Sequence, residues 1–371
     1  MERWVLRTRK GRETRGSTEA LQKRVRKKGP WAGTQLATPA GEPVGSIFFA
    51  PWLRPALMDW RVDRLRAGLY TDGVLLAGCT TLFLSAGDPR SGLGFEHKFW
   101  IVLAALIVVS LGQNAFELFR NTRLRAGSPA KFYRGLIHEL RFWYHARWKS
   151  ASALAAASAL LIAVPEFGFW WLTGETGETQ ELLQLKGCSA ALDKPAVLKG
   201  GQWWRLSTMA LVHLNGPHLV TNAIGLFGVL ALLVRVWGAV IGFTVLLVGI
   251  YGGALLSLTM TDAPSVGISA GILSMVAFGV ARGVREARSL VPPAIVSGLA
   301  VAILELAALS IWVFADYFDH FAHLGGLLAG TFVALLWRPE ARIWLPSLVA
   351  LAAFFVASAG IAVHVLMTAC L

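Results

Sequence analysis

Residues 265–279 read SVGISAGILSMVAFG, and this stretch decides the fold class. Its segment GISAG, residues 267–271, fits the pattern G-x-S-x-G, which presents a nucleophilic serine on a strand-to-helix turn in soluble hydrolases. The residues that follow are apolar for most of a membrane-spanning length. A soluble α/β sheet would need a strand before Gly267, but the preceding TDAPS is typical of a turn. We therefore reject the soluble interpretation and expect Ser269 at the start of a helix within a bilayer.

The composition extends this conclusion to the whole chain. Hydrophobic residues make up 55% of the 371 positions, charged residues make up 15%, and the mean hydropathy is +0.55. Several stretches approach or exceed the roughly 18 residues that span a bilayer. No alternating pattern typical of a membrane barrel is present. The sequence therefore predicts an all-α, polytopic membrane protein.

Nine stretches are candidate membrane spans, and they lie at 67–86, 98–117, 151–172, 206–233, 237–260, 268–283, 292–313, 319–337 and 345–368. The basic segment 118–150 has interleaved aromatic residues, which predicts an interfacial amphipathic helix. The first 66 residues form a basic arm, within which 31–65 is rich in Pro and Gly and is expected to be irregular. A long loop, 173–205, separates the third span from the fourth.

The net charge of +13 is distributed as a topology signal and not as a nucleic-acid-binding stripe. With the N-terminus in the cytoplasm, 29 of the 35 Lys and Arg residues fall on the inner side. This orientation places Ser269 and the 173–205 loop toward the outer side. We expect a multi-pass protein of the bacterial inner membrane, with its basic arm on the anionic inner surface and no nucleic-acid partner. A mitochondrial presequence is disfavoured because the arm contains several glutamates.

Polar and ionisable residues inside spans are costly and are functional by default. Here they collect at the outer ends of three spans, and the set comprises His213, His218, Asn222, Ser269, Asp319, His320 and His323. A nucleophile, a base and hydrogen-bond donors at one depth are what a hydrolytic site requires. The small residues that follow the last histidine, Gly325 and Gly326, permit close helix packing, which would bring that histidine toward the serine.

These residues and their spacing resemble the rhomboid family of intramembrane serine proteases. The matching motifs are Trp204-Arg205, the series His213, His218 and Asn222, then Gly267-x-Ser269, and His323-x-Gly325-Gly326. They cover about 173–337, together with the span before it. The resemblance implies a core of six helices around a water-filled cavity, with an extra N-terminal helix pair and one extra C-terminal helix outside it.

The resemblance also implies the roles of the site residues. Ser269 is the expected nucleophile and His323 the general base of a dyad, with His218, Asn222 and the Ser269 N–H at the oxyanion hole. Supporting positions are Gly267, His213, Gly325 and Gly326. The expected reaction is hydrolysis of a peptide bond within or beside a transmembrane helix of a single-pass or multi-pass membrane protein, without cofactor or metal ion.

The expected organisation is a basic cytoplasmic arm, an extra helix pair, a basic cytoplasmic or interfacial segment, a rhomboid protease core and an extra C-terminal helix, at 1–66, 67–117, 118–150, 151–337 and 338–371. An alternative function is that of a rhomboid-like pseudoprotease, which binds membrane proteins without cleaving them. The presence of both a serine and a base disfavours this alternative. A transporter is disfavoured because paired broken helices and a charged midplane site are not visible.

Two positions depart from the pattern of the family. Ala270 stands where a glycine usually follows the nucleophile, and Leu273 stands where an aromatic residue often lies beneath the histidine. Either substitution is expected to affect the packing of the histidine or the reaction rate, but neither removes a reacting group.

Several charged or polar residues near the candidate site are expected to have structural roles. Asp319 lies four residues before His323, and we expect it either to stay hydrated or to cap the helix start, and not to act as a third catalytic residue. Glu166 and His320 are expected to meet water. We expect Arg205 either to fix the outer loop or to snorkel to the interface.

The remaining residues of interest give weaker signals. For His213 a structural role in the outer loop is favoured over catalysis. Glu305, deep in a predicted span, is interpreted as structural or as facing a partner. The three cysteines, Cys79, Cys188 and Cys370, lack metal spacing and predict no disulfide framework.

Overall fold

The structure of the protein, a computed structural model, describes residues 4–7, 12–28, 35–38, 43–46, 50–85, 95–143, 148–174, 180–286, 295–296, 298–300, 303, 319–337 and 344–370. Its contacts divide the chain into two compact units, Met1–Tyr144 and His145–Leu371, and each is described by itself. Helices dominate the described residues, as the sequence predicts.

The first unit begins with a small antiparallel sheet and continues into long helices. Its elements are β1 (Trp4–Arg7), β2 (Glu13–Gly16), α1 (Thr18–Lys28), β3 (Gln35–Ala37), β4 (Pro43–Ser46), a 3₁₀ turn (Pro51–Leu53), α2 (Arg54–Ser85), α3 (Phe95–Gly127) and α4 (Pro129–Trp143). The strand order is β2-β1-β3-β4. In the register of the sheet, Val5 lies opposite Arg15 on one side and Ala37 on the other.

The expectation of an irregular stretch over 31–65 is therefore wrong. This part of the chain contributes two strands and the first turns of α2, and the basic arm before it contributes two further strands and α1. The physical reason is a shared apolar cluster, in which Leu6, Leu21 and Leu36 are at most 2% exposed. Isolated apolar residues among many charges were enough to bury one face of a sheet.

The described part of the basic segment, residues 118–143 and 148–150, is helical apart from Ser128, but the apolar face of α4 has a partner within the first unit. Helix α3 continues to Gly127, and α4 follows after a single residue. Phe132, Tyr133 and Leu136 of α4 are buried in the same cluster as Leu6. The amphipathic pattern is present as predicted, yet these residues pack against protein where an interfacial helix would place them in lipid.

The predicted first pair of spans lies within α2 and α3. The two helices are joined by a polar contact, in which Asp72 accepts hydrogen bonds from Ser110 at 3.1 Å and Asn114 at 2.8 Å. Among the described residues, neither helix meets the length and apolarity of the four candidate spans found elsewhere in the chain. The assignment of this pair to the membrane stays a prediction.

The second unit is built almost entirely of helices. Its elements are α5 (Trp148–Leu161), α6 (Ala163–Thr173), α7 (Gln180–Ser189), α8 (Lys194–Leu198), α9 (Arg205–Thr208), a 3₁₀ turn (Met209–Leu211), α10 (Gly216–Trp237), α11 (Ala239–Met260), α12 (Ser269–Glu286), α13 (His320–Leu336), α14 (Trp344–Val365) and a π-helical turn (Leu366–Cys370). Within the described ranges, four helices are long and apolar enough to cross a membrane: Lys149–Leu172, Gly216–Trp237, Ala239–Met260 and Ala352–Cys370. A shorter apolar helix is α13.

Most predicted spans of this unit coincide with observed helices, with two exceptions. The span predicted to begin at 206 begins instead at Gly216, because Asn215 caps the helix by accepting a hydrogen bond from the His218 N–H at 2.8 Å. Pro217 in the first turn reinforces that start. The span predicted at 292–313 lies mostly outside the described residues, as does Glu305.

Three helices of the second unit, α11, α12 and α13, pack so closely that their backbones are in contact, because small residues lie between them. A Cβ atom on Gly253 of α11 would lie 2.5 Å from the Cβ atom of Ala270 in α12. On Gly330 of α13 it would lie 2.0 Å from the carbonyl oxygen of Ser274 in α12. Such contacts are the small-residue packing of membrane helices. They hold the first turn of α12, with Ser269, beside the first turn of α13, with His323.

Candidate functional site

The hydroxyl of Ser269 and the imidazole of His323 are in direct hydrogen-bond contact. Ser269 Oγ lies 2.7 Å from His323 Nε2, although the residues are 54 positions apart. Ser269 is the first residue of α12, and His323 lies in the first turn of α13. This distance is within the range required for proton transfer from a hydroxyl to a base. The structure therefore brings together the two residues expected to form the dyad.

Two further candidate residues, His218 and Asn222, surround Gly267, two positions before the serine. A Cβ atom on Gly267 would lie 2.8 Å from Cε1 and 2.9 Å from Nε2 of His218, and 3.3 Å from Nδ2 of Asn222. The φ angle of Gly267 is +106°, which other residues rarely adopt. Glycine at this position thus allows both side chains to reach the loop that carries Ser269.

Several polar atoms near this loop can donate hydrogen bonds. His218 Nδ1 accepts a hydrogen bond from the Leu214 N–H at 3.4 Å, which in a neutral ring leaves the proton on Nε2. Asn222 is 6% exposed, and its Nδ2 makes no hydrogen bond within the described part of the chain. The first backbone N–H groups of α12 have no acceptor within their own helix. The loop is therefore bordered by three sources of N–H donors.

His213 supports the site through its main chain. Its N–H donates to Oε1 of Glu166, and its carbonyl accepts from Nζ of Lys186 at 2.6 Å. The two charged side chains are themselves paired, with 2.6 Å between Lys186 Nζ and Glu166 Oε2. The ring of His213 packs edge-on against that of His218, with centroids 5.2 Å apart. These contacts fit the predicted structural role of His213, but its hydrogen bonds are made by main-chain atoms and not by the ring.

The expectation that Glu166 meets water is wrong. Its side chain is 1% exposed, and that of Lys186 is 3% exposed. The carboxylate is buried because Lys186 and the His213 N–H satisfy it, 20 and 47 positions away in sequence. Such a pairing leaves no local signal in the sequence.

Arg205 fixes the loop over 173–205 and does not snorkel. It is 4% exposed and donates to the carbonyls of Gly187, Cys188 and Ala191, which lie at and just beyond the end of α7. A cation at the C-terminus of a helix satisfies carbonyls that have no partner within that helix. Burial lowers the pKa of the guanidinium from its ordinary value.

A disulfide joins the outer loop to the C-terminal end of the chain. It links Cys188 of α7 to Cys370, with the Cα atoms 6.0 Å apart, while Cys79 is free and buried. This bond was not predicted from the sequence. The predicted topology could have indicated the pairing, because it places Cys188 and Cys370 on the same outer side and Cys79 within a span.

Asp319 caps the start of α13, which is one of the two roles expected for it, and its side chain is only 16% exposed. Its Oδ1 accepts from the Ala322 N–H at 2.8 Å, which confirms the cap. Its Oδ2 accepts from the hydroxyls of Ser257 and Ser265, and it lies 3.9 Å from Lys194 Nζ. Burial lowers the pKa of Lys194, and the nearby carboxylate of Asp319 opposes this shift by raising it. These three partners were not predicted.

The two departures from the family pattern are accommodated by packing. Ala270 is 1% exposed, and its methyl group occupies the space left by the missing side chain of Gly253. Leu273 is 5% exposed. His320 is exposed, as expected. Among the residues that the structure describes, no three His, Cys, Asp or Glu side chains are grouped to hold a metal ion.

The comparison with protein families identifies one domain in the chain. The family model described as the rhomboid domain matches residues 200–340. The matched segment contains the serine, the histidines and the asparagine described above. A search of curated proteins found no match to the chain. Residues 200–340 therefore match the rhomboid domain, and this match supports membership of the rhomboid family.

Proposed function

We propose that this protein is an intramembrane serine endopeptidase, which hydrolyses a peptide bond within or beside a transmembrane helix of its substrate. The observation that carries the proposal is the 2.7 Å contact between Ser269 Oγ and His323 Nε2 inside a rhomboid domain. The match of residues 200–340 to the rhomboid domain supports a reaction on membrane-protein substrates in a bilayer. The identity of the reacting residues rests on the geometry of the site.

In the acylation step, Ser269 Oγ attacks the carbonyl carbon of the scissile bond while His323 Nε2 accepts the hydroxyl proton. The carbonyl oxygen becomes an oxyanion in a tetrahedral intermediate. When the intermediate collapses, the C–N bond breaks, and the histidine returns the proton to the leaving nitrogen. An acyl-enzyme remains, with the ester bond on Ser269.

In the deacylation step, water attacks the ester carbonyl and loses a proton to His323. A second tetrahedral intermediate then releases the carboxylic acid product and restores the serine hydroxyl. The oxyanion of both intermediates would accept hydrogen bonds from His218 Nε2, Asn222 Nδ2 and the Ser269 N–H. Donors fixed in advance of the reaction stabilise developing charge without reorganisation.

We also propose where the protein is located and which part of the chain carries the reaction. In the proposed orientation the N-terminus is cytoplasmic, the membrane is the bacterial inner membrane, and the dyad opens toward the outer side. The core at 151–337 carries the reaction. The arm at 1–66, the helix pair at 67–117, the basic segment at 118–150 and the C-terminal helix at 338–371 lie outside that core.

The experiment uses purified protein in detergent, a fluorophosphonate probe and a model transmembrane substrate. We expect the wild type to be labelled by the probe and to cleave the substrate, and Ser269→Ala and His323→Ala to do neither while remaining folded. Because the two residues act as one unit, the double variant should be no worse than either single variant. Substantial cleavage by Ser269→Ala would contradict the proposal, and an unreactive wild type that still binds the substrate would favour a pseudoprotease.

A further inference from the structure

A buried polar cluster lies beside the dyad and consists of Lys194, Ser257, Ser265 and Asp319. Lys194 Nζ donates to Ser265 Oγ at 2.8 Å and to the carbonyl of Ala263. Both serine hydroxyls donate to Oδ2 of Asp319, and their Oγ atoms are 2.9 Å apart. We refer to the four residues as the lysine–aspartate cluster.

The lysine–aspartate cluster is shielded from solvent. The side chain of Lys194 is 3% exposed and that of Asp319 is 16% exposed, and Ser257 and Ser265 are buried. Buried charges are tolerated only when they are paired and hydrogen-bonded. Removal of one charge would leave the other without compensation. The cluster therefore restrains the chain segments that contribute its members.

Those segments are the ones that carry the reacting side chains. Ser265 lies four residues before Ser269, in the loop that leads into α12, and its main chain pairs with that of Leu192 through hydrogen bonds of 2.9 and 3.3 Å. Asp319 caps α13, and its carbonyl accepts from the His323 N–H at 3.1 Å. The cluster thus fastens the start of the serine helix to the start of the histidine helix.

Two further helices, α11 and α8, contribute the remaining members of the cluster. Ser257 lies in the last turn of α11, and Lys194 is the first residue of α8 in the outer loop. The ammonium of Lys194 also donates to the carbonyl of Ala263, 69 positions away in sequence. This bond attaches the loop that contains Lys194 to the segment that leads into α12. Three separate parts of the chain, which contribute Lys194, Ser257 and Ser265, therefore converge on the carboxylate of Asp319 in a fourth.

The carboxylate of Asp319 directs both oxygens to partners other than the imidazole. Its Oδ1 accepts from the Ala322 N–H, and its Oδ2 faces the two serines and the lysine. Asp319 therefore acts on His323 through the position of the helix start. This makes it a positioning residue and distinguishes it from the acid of a catalytic triad.

We propose that the lysine–aspartate cluster positions the dyad by setting the separation of Ser269 Oγ and His323 Nε2. This inference rests on the proposed function, because it concerns the rate of that reaction. A displacement of about 1 Å at a reacting group costs on the order of 10² in rate. Loss of the cluster should therefore lower turnover while leaving substrate affinity largely unchanged.

The test compares Lys194→Met and Asp319→Asn with the wild type and with Lys199→Met, which removes an exposed lysine from the same loop. Asparagine caps helices about as well as aspartate, so Asp319→Asn reports the charge and not the cap. We expect kcat per folded molecule to fall roughly 10- to 100-fold in both cluster variants, with KM within about twofold. Lys199→Met should match the wild type.

A second experiment measures amide hydrogen exchange of residues 265–269 and 319–323. This measurement does not depend on catalytic activity. Both segments should exchange faster in the cluster variants and at the wild-type rate in Lys199→Met. Ser265→Ala, which leaves both charges in place, should show the same changes to a smaller degree. It serves as the test if the charge variants fail to fold.

The outcomes separate this inference from the proposed function. If the wild type neither reacts with the fluorophosphonate nor cleaves substrate, the proposed function fails, and the exchange rates still decide whether the cluster fastens the two helix starts. Unchanged kcat and unchanged exchange in the cluster variants would overturn the inference. A loss near 10⁴ in kcat for Asp319→Asn would also overturn it, because that magnitude is typical of a triad acid.

Discussion

A Cβ atom on Gly326 would lie 2.2 Å from the carbonyl oxygen of Ala270, so the helix that carries His323 packs directly against the helix that carries Ser269. The atom that such a Cβ would meet belongs to the backbone and cannot move aside by a change of rotamer. The separation of the two helices, and with it the geometry of the dyad, therefore depends on the absence of a side chain at this position.

We expect Gly326→Ala to force these helices apart and to destabilise the protein by about 1–3 kcal/mol or more, the typical cost of overpacking. Thermal unfolding in detergent measures the change. Gly228→Ala is the matched control, because a Cβ atom there meets nothing within 4 Å and alanine favours a helix. Equal melting temperatures for wild type and Gly326→Ala would contradict this packing.

The sequence predicted the parts of the fold that depend on periodic or local signals. Apolar stretches of spanning length located helices such as Ala239–Met260. The spacing of His218, Asn222, Ser269 and His323 indicated a candidate site, which stays a prediction. The structure brings those four side chains to one loop and two adjacent helix starts.

The remaining features depend on contacts between distant, unremarkable residues. Lys194 pairs with Ser265 across 71 positions, and Lys186 meets the carbonyl of His213 across 27. Each residue alone is typical of a solvated surface, because burial of a charge is revealed only by its partner. The same limit explains the error over 31–65, where single apolar residues such as Leu36 form a core only with other short segments.

The oxyanion assignment predicts a loss of rate without a comparable loss of binding. Asn222→Ala and His218→Ala each remove one donor beside Gly267, and removal of one such donor typically costs on the order of 10²–10³ in kcat. The measurement is kcat and KM for one transmembrane substrate. Thr221→Ala, on the exposed side of α10, is the control. If both variants cleaved at the wild-type rate, the two residues would be structural only.

The distribution of Lys and Arg predicts the orientation of the chain. Reporter fusions should show residue 290 inside and residue 371 outside, with the N-terminus in the cytoplasm. The Cys188–Cys370 disulfide supports this orientation, because disulfides persist in oxidising compartments and are rare in the cytosol. An outside signal at residue 290 would overturn the order of the spans and the location of the dyad.

The disulfide itself is predicted to stabilise the outer loop. It closes a separation of 182 residues, and a native disulfide is typically worth about 2–4 kcal/mol. Mass spectrometry of peptides from unreduced protein should find Cys188 joined to Cys370 and Cys79 alkylated after denaturation. Cys188→Ser should lower the melting temperature more than Cys79→Ser does. Recovery of all three cysteines as alkylated thiols would contradict the pairing.

The last prediction concerns the buried pair of Glu166 and Lys186, which holds the main chain of His213, whose ring packs against the ring of His218. Lys186→Met leaves a carboxylate buried without its cation, and removal of one partner of a buried ion pair typically costs about 3–5 kcal/mol. Adding Glu166→Gln removes the remaining charge and retains an acceptor for the His213 N–H, so the double variant should be more stable than Lys186→Met alone. Unfolding in detergent measures both, with the exposed Glu181→Gln as control. A Lys186→Met variant within about 1 kcal/mol of the wild type would mean that the pair does not need its charge, and that His213 is held by packing.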